Sequence, residues 1–212
     1  MQRILILGAG GHAQVVADIL LCARDAGSPA FPIGYLDDNP ALHGQTLLGV
    51  PVLGCLADLE RISRDAVIIA IGDNRTRRRV FAYMQERGER VAIARHPAAA
   101  VARDVKIGPG VMICAGVVVN TSSVIGADSI LNTGCTVDHH NRIGAHVHVA
   151  PGAHLGGEVT VDEGALVGIG ATVMPRCAVG AWSIVGAGAC VTRSVLPGSV
   201  VIGVPARPLQ DR

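Results

Sequence analysis

Aromatic side chains are scarce: one Trp, two Tyr and two Phe in 212 residues. A core built around large rings is therefore excluded, although half of the residues are apolar. The bulk falls to Val, Ile, Leu, Ala and Gly, which suit a regular architecture of small packing units. Net charge is nearly absent as well, +1 at pH 7, so there is no electrostatic case for nucleic acid or an anionic membrane. No apolar run approaches the ~18 residues that span a bilayer. Six cysteines (Cys22, Cys55, Cys114, Cys135, Cys177, Cys190) show no C-x-x-C spacing. That argues against a disulfide framework or a zinc site, and for small buried hydrophobes in a reducing compartment. Met1-Gln2-Arg3 leads straight into an apolar strand, without the charged, apolar and cleavage regions of a leader. A soluble cytoplasmic chain is expected, with one large domain or two small ones.

What is present is a repeat. Every sixth residue from Ile107 to Val191 is Val, Ile or Leu. The next position is often Gly, as at Gly108, Gly126, Gly144, Gly156, Gly168, Gly180 and Gly186, and the fifth is small or β-branched. Each hexad reads as one short strand plus a corner, with the aliphatic side chain inside a narrow prism. The second-position glycines are expected to relieve the backbone where it turns. Three hexads close one triangular coil of about 18 residues, and coils stack at about 4.8 Å. Val101 begins one further hexad. A plain solenoid scaffold or ice-binding surface would share this repeat.

The first 95 residues read differently. Residues 3–8 form a buried strand, Gly8-Ala9-Gly10-Gly11-His12-Ala13 a glycine turn, and residues 14–24 a helix. This is a G-x-G-x-x-A variant of the dinucleotide fingerprint, in which glycines admit a phosphate close to the helix N-terminus. A second strand, 33–36, ends in Asp37-Asp38, acids placed to hold ribose or base. A third, 66–71, ends in Gly72-Asp73-Asn74-Arg75 before a helix over 74–87. A fourth, 90–94, leads to His96-Pro97. The alternation predicts a Rossmann-like α/β domain with a parallel sheet over 1–95 and an all-β domain over 96–212. So short a domain suits a nucleotide-sugar better than NAD. The candidate binding residues are Gly8, Gly10, Gly11, His12, Asp37, Asp38, Gly72, Asn74 and Arg75.

The two halves together resemble the sialic acid O-acetyltransferase and nucleotide-4-amino-sugar N-acetyltransferase family of hexapeptide-repeat acyltransferases. The stretches that carry the likeness include Gly8-Ala9-Gly10-Gly11-His12, Leu36-Asp37-Asp38, Asn132-Thr133-Gly134, Val137-Asp138-His139 and Gly203-Val204-Pro205-Ala206. The resemblance implies a left-handed parallel β-helix, acetyl-CoA as co-substrate without a metal, and a homotrimer with active sites between subunits. Its catalytic base falls on His139, and its acetyl-CoA contacts fall on His148, Gly157 and Ala187. Where the family often has an acid, this chain has His140, which leaves the base to be oriented by Asp138 or by an acid of a neighbouring chain.

The residues argue in the same direction. Five of the eight histidines (His139, His140, His146, His148, His154) crowd within one coil. Acetyl transfer from a thioester to an amine or hydroxyl needs a base that works near neutral pH, which imidazole supplies. Side chains alternate along a strand, so Asp138 and His140 are expected to point away from His139. His140, His146 and His154 are expected to be exposed or packing residues. The expected reaction is N-acetylation of a nucleotide-linked 4-amino sugar by direct transfer. The alternatives are O-acetylation of sialic acid or a related sugar, and a non-catalytic trimeric nucleotide-sugar-binding protein.

Overall fold

The computed structural model describes residues 1–209, which divide into two compact units, Met1–Pro97 and the described residues from Ala98 onward. The first holds a five-stranded sheet in the order β3-β4-β2-β1-β5. Its strands are β1 (Gln2–Leu7), β2 (Ala30–Leu36), β3 (Thr46–Leu47), β4 (Val50–Gly54) and β5 (Ala66–Ile69). Pairing is parallel from β4 through β2 and β1 to β5; only β3 runs antiparallel, against β4. Four fully buried residues in a row, Ile4–Leu7, mark β1 as an interior strand, covered on both faces. The helices are α1 (Gly11–Asp25) and α2 (Asn74–Glu86). Ala13, Val16, Ala17, Ile19 and Leu20 form the buried stripe of α1 at helical spacing.

Two expectations for this unit need correction. Residues 90–94 do not form a fourth sheet strand: one isolated bridge, Val67 to Val91, is all that joins them to the sheet. The strand on the other side, β4, was not foreseen. Its run Val-Pro-Val-Leu-Gly contains a proline, which reads as a strand breaker in sequence, but Pro51 faces the short edge hairpin with β3.

The second unit is a parallel β-helix. Two-residue strands recur every six residues from Ala100–Val101 to Cys190–Val191 and pair with strands 18 residues away, as Val118 with Thr136 and Val119 with Val137. They build three sheets. One contains Thr136–Val137 and His154–Leu155, the next Arg142–Ile143 and Thr160–Val161, and the third His148–Val149 and Leu166–Val167. Each repeat aliphatic from Ile113 to Val191 is buried in the prism. The expected fold class, an α/β sheet domain followed by a left-handed parallel β-helix, holds.

The glycines act otherwise than expected. The turn falls on the fourth hexad position: every sixth residue from Gly110 to Gly188 has positive φ, including Ser122, Asp128, His140, His146, Glu158, Arg176 and Trp182. The second-position glycines have ordinary φ and serve close stacking instead. A Cβ on Gly126 would sit 2.4 Å from the Gly144 carbonyl carbon, and one on Gly168 would sit 2.5 Å from the Val185 oxygen. Backbone of the next coil fills the space a side chain would need.

Candidate active site

His139 and His140 lie in the corner that follows the strand Thr136–Val137, not in the strand itself. The alternation expected of them therefore does not apply. His140 takes φ 60°, which swings its side chain back toward that of its neighbour. The two rings stand edge to face with centroids 5.2 Å apart, and Nδ1 of His139 lies 3.1 Å from Nδ1 of His140. Asp138 acts on the ring by its charge and not by a hydrogen bond to it. Its Oδ1 accepts the His139 backbone N–H (2.8 Å) and the Asn120 amide (2.8 Å). These bonds, with the Asn120 contact the largest influence, hold the Asp138 carboxyl below its usual range.

One coil further on, at the same corner, is Gly157. A Cβ there would meet His139 Cε1 at 2.6 Å and Nε2 at 2.7 Å. The imidazole thus lies against bare backbone, in the space a side chain on residue 157 would take. A residue that sequence reasoning missed ties these two turns together from inside. Asn141 is fully buried, and its Nδ2 donates to the carbonyl of Asp138 (2.7 Å) and to that of Gly156 (3.0 Å). Its Oδ1 accepts from Val159 N (2.7 Å). The amide is satisfied by the residues just before His139 and just before Gly157, so it fixes their spacing. The signal was legible: an amide at a fifth hexad position, where Val, Ala, Ser and Cys otherwise stand.

The other histidines separate. His148 sits in the third sheet, its Nε2 3.1 Å from the Asn132 amide nitrogen. His146 occupies a different corner, 2.8 Å from the buried Asp128 carboxylate. His154 is an exposed strand residue beside Thr136 Oγ1 (2.9 Å). Ala187 is exposed at the corner after Ile184–Val185. Among the expected acetyl-CoA contacts, therefore, the chain brings only Gly157 onto His139.

In the first unit, the chain passes from β1 to β2 and β4 on one side and returns to β5 on the other. The strand order reverses beside β1, which is where open parallel sheets bind ligands. A cavity of about 230 Å³ opens at these carboxyl ends, lined in part by Gly8, Asp37, Asp38, Ile71 and Thr76. Gly8 is required by the protein itself: its φ is 105°, and a Cβ would lie 3.1 Å from Ala70 O. Gly10, Gly11 and Gly72 have open space where a Cβ would go. Asp37 braces the turn, accepting from Ala9 N (2.7 Å) and Asn39 N (2.9 Å), while Asp38 accepts from Leu56 N (2.9 Å). His12 is pushed down to about 4 by burial first and by the charge of Arg77 second, so its ring is neutral at physiological pH.

Arg77 is a second residue the sequence reading missed. It is fully buried on α2 and donates to the carbonyls of Ile71 (3.1 Å) and Gly72 (3.2 Å) and to Asn74 Oδ1 (2.9 Å). Asp73 caps the same helix by accepting from Thr76 N (2.8 Å). Arg75 is exposed. One further grouping was unforeseen, since its members are remote in sequence: donor atoms of Asp18, Cys22 and His96 lie within 4.8 Å of one another. Cys22 already directs its S–H at Asp18 Oδ1 (3.9 Å).

Comparison with known proteins converges on one group. Residues 3–84 match the PglD N-terminal domain family. The GDP-perosamine N-acetyltransferase of Escherichia coli O157:H7 is 31% identical over 171 residues, covering 79% of this chain and 76% of that protein. Among solved structures, the acetyltransferase domain of PglB from Neisseria gonorrhoeae FA1090 superposes with a TM-score of 0.91 at 33% identity, over 99% of this chain and 100% of that one. A mutant of GDP-perosamine N-acetyltransferase from Caulobacter crescentus, in complex with CoA and GDP-perosamine, gives 0.91 at 38% identity over 98% and 97%. Stacked hexads behind an α/β unit, with these likenesses across both, define an acetyltransferase of the hexapeptide-repeat class. More narrowly, the chain belongs to the nucleotide-amino-sugar N-acetyltransferase family.

Proposed function

We propose that the protein transfers an acetyl group from acetyl-CoA to the 4-amino group of a UDP- or GDP-linked sugar, with His139 as general base. The observation that carries this reading is the His139 imidazole laid against the bare backbone of Gly157 at an open corner of the prism. A side chain on Gly157 would displace the ring, so glycine there lets a thioester carbonyl approach the backbone beside the base.

The neutral sugar amine attacks the thioester carbonyl, and His139 takes the proton that the new ammonium must lose. The tetrahedral oxyanion is held by backbone N–H groups, with that of Gly157 nearest the base. Collapse expels coenzyme A as thiolate and leaves the amide. No acyl-enzyme intervenes. Cys135 and Cys114, both buried, are pushed by burial to about 12 and about 11, which keeps them as thiols. His148 and Ala187 are the further acetyl-CoA contacts.

The nucleotide belongs to the first unit. Gly8, Gly10, Gly11 and His12 form the phosphate turn, with Gly72, Asn74 and Arg75 beside it and Asp37 and Asp38 toward the ribose or base. The open space at Gly10, Gly11 and Gly72 supports this, because nothing within the protein requires glycine there. The relatives' complexes with CoA and GDP-perosamine support the pairing of substrates. We infer a cytoplasmic homotrimer, supported by Ile169, Ile184 and Ile202, which expose apolar side chains on the β-helix. No helix among the described residues is long and apolar enough to cross a membrane.

The test is CoA thiol release from acetyl-CoA against a panel of UDP- and GDP-linked 4-amino sugars and sialic acid. It is run on protein whose assembly is fixed by sedimentation as a multiple of the 21.8 kDa chain. Release with a nucleotide-linked amine on a three-chain particle supports the reading. Release with sialic acid alone replaces it with O-acetylation, and no release at all leaves a binding protein.

A further inference from the structure

We propose that His140 is the positioning residue for His139: its Nδ1 accepts the Nδ1–H of His139 and so keeps Nε2 of the base unprotonated. The inference rests on His139 being the base and adds what sets its tautomer.

The geometry requires a choice. Two ring nitrogens 3.1 Å apart can share one proton, so one ring donates and the other accepts. If His140 donated, His139 would hold its own proton on Nε2 and could not take another there. If His139 donates, Nε2 carries the lone pair. Only the second arrangement makes a base of the nitrogen that lies along the Gly157 backbone. Neutral histidine in water favours the Nε2–H form, so the useful tautomer needs an acceptor beside Nδ1.

His140 is the acceptor at hand. Asp138 spends Oδ1 on the His139 backbone N–H and on Asn120. On the next coil, Glu158 follows Gly157 and lies 3.5 Å from Arg176. Two coils back, Asp104 is committed to Thr121 Oγ1 and to the backbone and hydroxyl of Ser122 on the coil between. Arg142, exposed on the following strand, can only donate. The left-handed backbone at His140 turns its ring into place, and its backbone N–H is anchored to Thr121 O (3.0 Å). When His139 accepts the substrate proton, the bond to His140 becomes charge-assisted and steadies the imidazolium without a carboxylate.

The experiment uses the full chain with ¹⁵N-labelled histidine. Long-range ¹H–¹⁵N spectra report which nitrogen of His139 carries the proton, with His139→Asn assigning the signals. The same proteins are assayed for thiol release across pH. The wild type is expected to show a protonated Nδ1 and a bare Nε2. His140→Ala is expected to return the ring to the Nε2–H form and to lower kcat about 10- to 100-fold with KM near its starting value. His140→Asp is expected to keep the tautomer, recover most of kcat, and move the acidic limb of the profile upward, since a full negative charge stabilises imidazolium more than a neutral ring does. An Nε2–H tautomer in the wild type, or His140→Ala with unchanged kcat and pH profile, overturns the proposal while leaving the base in place. Undiminished turnover by His139→Asn removes the base and the proposal together.

Discussion

His12 is held neutral by where it sits. Burial and the neighbouring Arg77 charge depress it from 6.5 to about 4. The unfolded chain therefore binds the proton first as pH falls, and folding stability drains away between about pH 6.5 and pH 4. The thermal midpoint of the first unit is expected to drop across that window, and His12→Gln is expected to flatten the drop. Equal slopes in the two proteins would contradict this account of the residue. At this scale the sequence was readable where a polar side chain broke a bland pattern. Val137-Asp138-His139 stood out because the repeat around it is aliphatic. The His139–His140 contact was not readable, because alternation holds for strands and fails at a corner residue with φ 60°. Arg77 was hidden because two of its partners, the carbonyls of Ile71 and Gly72, are backbone groups that carry no sequence signal.

The hexad is the element that decides the fold. Its aliphatic position could be read directly, since a period of six lines one residue per side of the prism. Its glycines were assigned the wrong job: two different constraints, a left-handed corner and a close coil-to-coil approach, fall on two different positions. The second-position constraint has a direct consequence. Gly126→Ala places a methyl carbon 2.4 Å from the carbonyl carbon of Gly144, and relief requires two coils to part. The cost expected is about 1–3 kcal/mol in urea unfolding at fixed protein concentration. An unchanged midpoint would show that the coils spread freely. In the first unit, β1 and both helices were legible from continuous burial and helical spacing. The edge pair β3 and β4 was not, because two residues and a proline-bearing run fall below what periodicity can register.

Across the whole chain, the proposed reaction draws on two compact units. The α/β unit offers a cavity at the reversal of its strand order, and the β-helix offers an imidazole at a glycine-cleared corner. The division was visible in the sequence as a change from βαβ alternation to a strict six-residue period; the observed boundary falls at Pro97 rather than at 95. What the sequence could not supply was how the histidines distribute, since residues close in the chain land on different corners of a triangular coil. The central claim is that His139 takes the proton of the attacking amine, and single-turnover thiol release by His139→Asn measures it directly. The account predicts a loss of about 10²- to 10⁴-fold in the chemical step, with acetyl-CoA and nucleotide-sugar affinities close to those of the parent protein. Turnover within a few-fold of the parent, with both substrates bound, would contradict it.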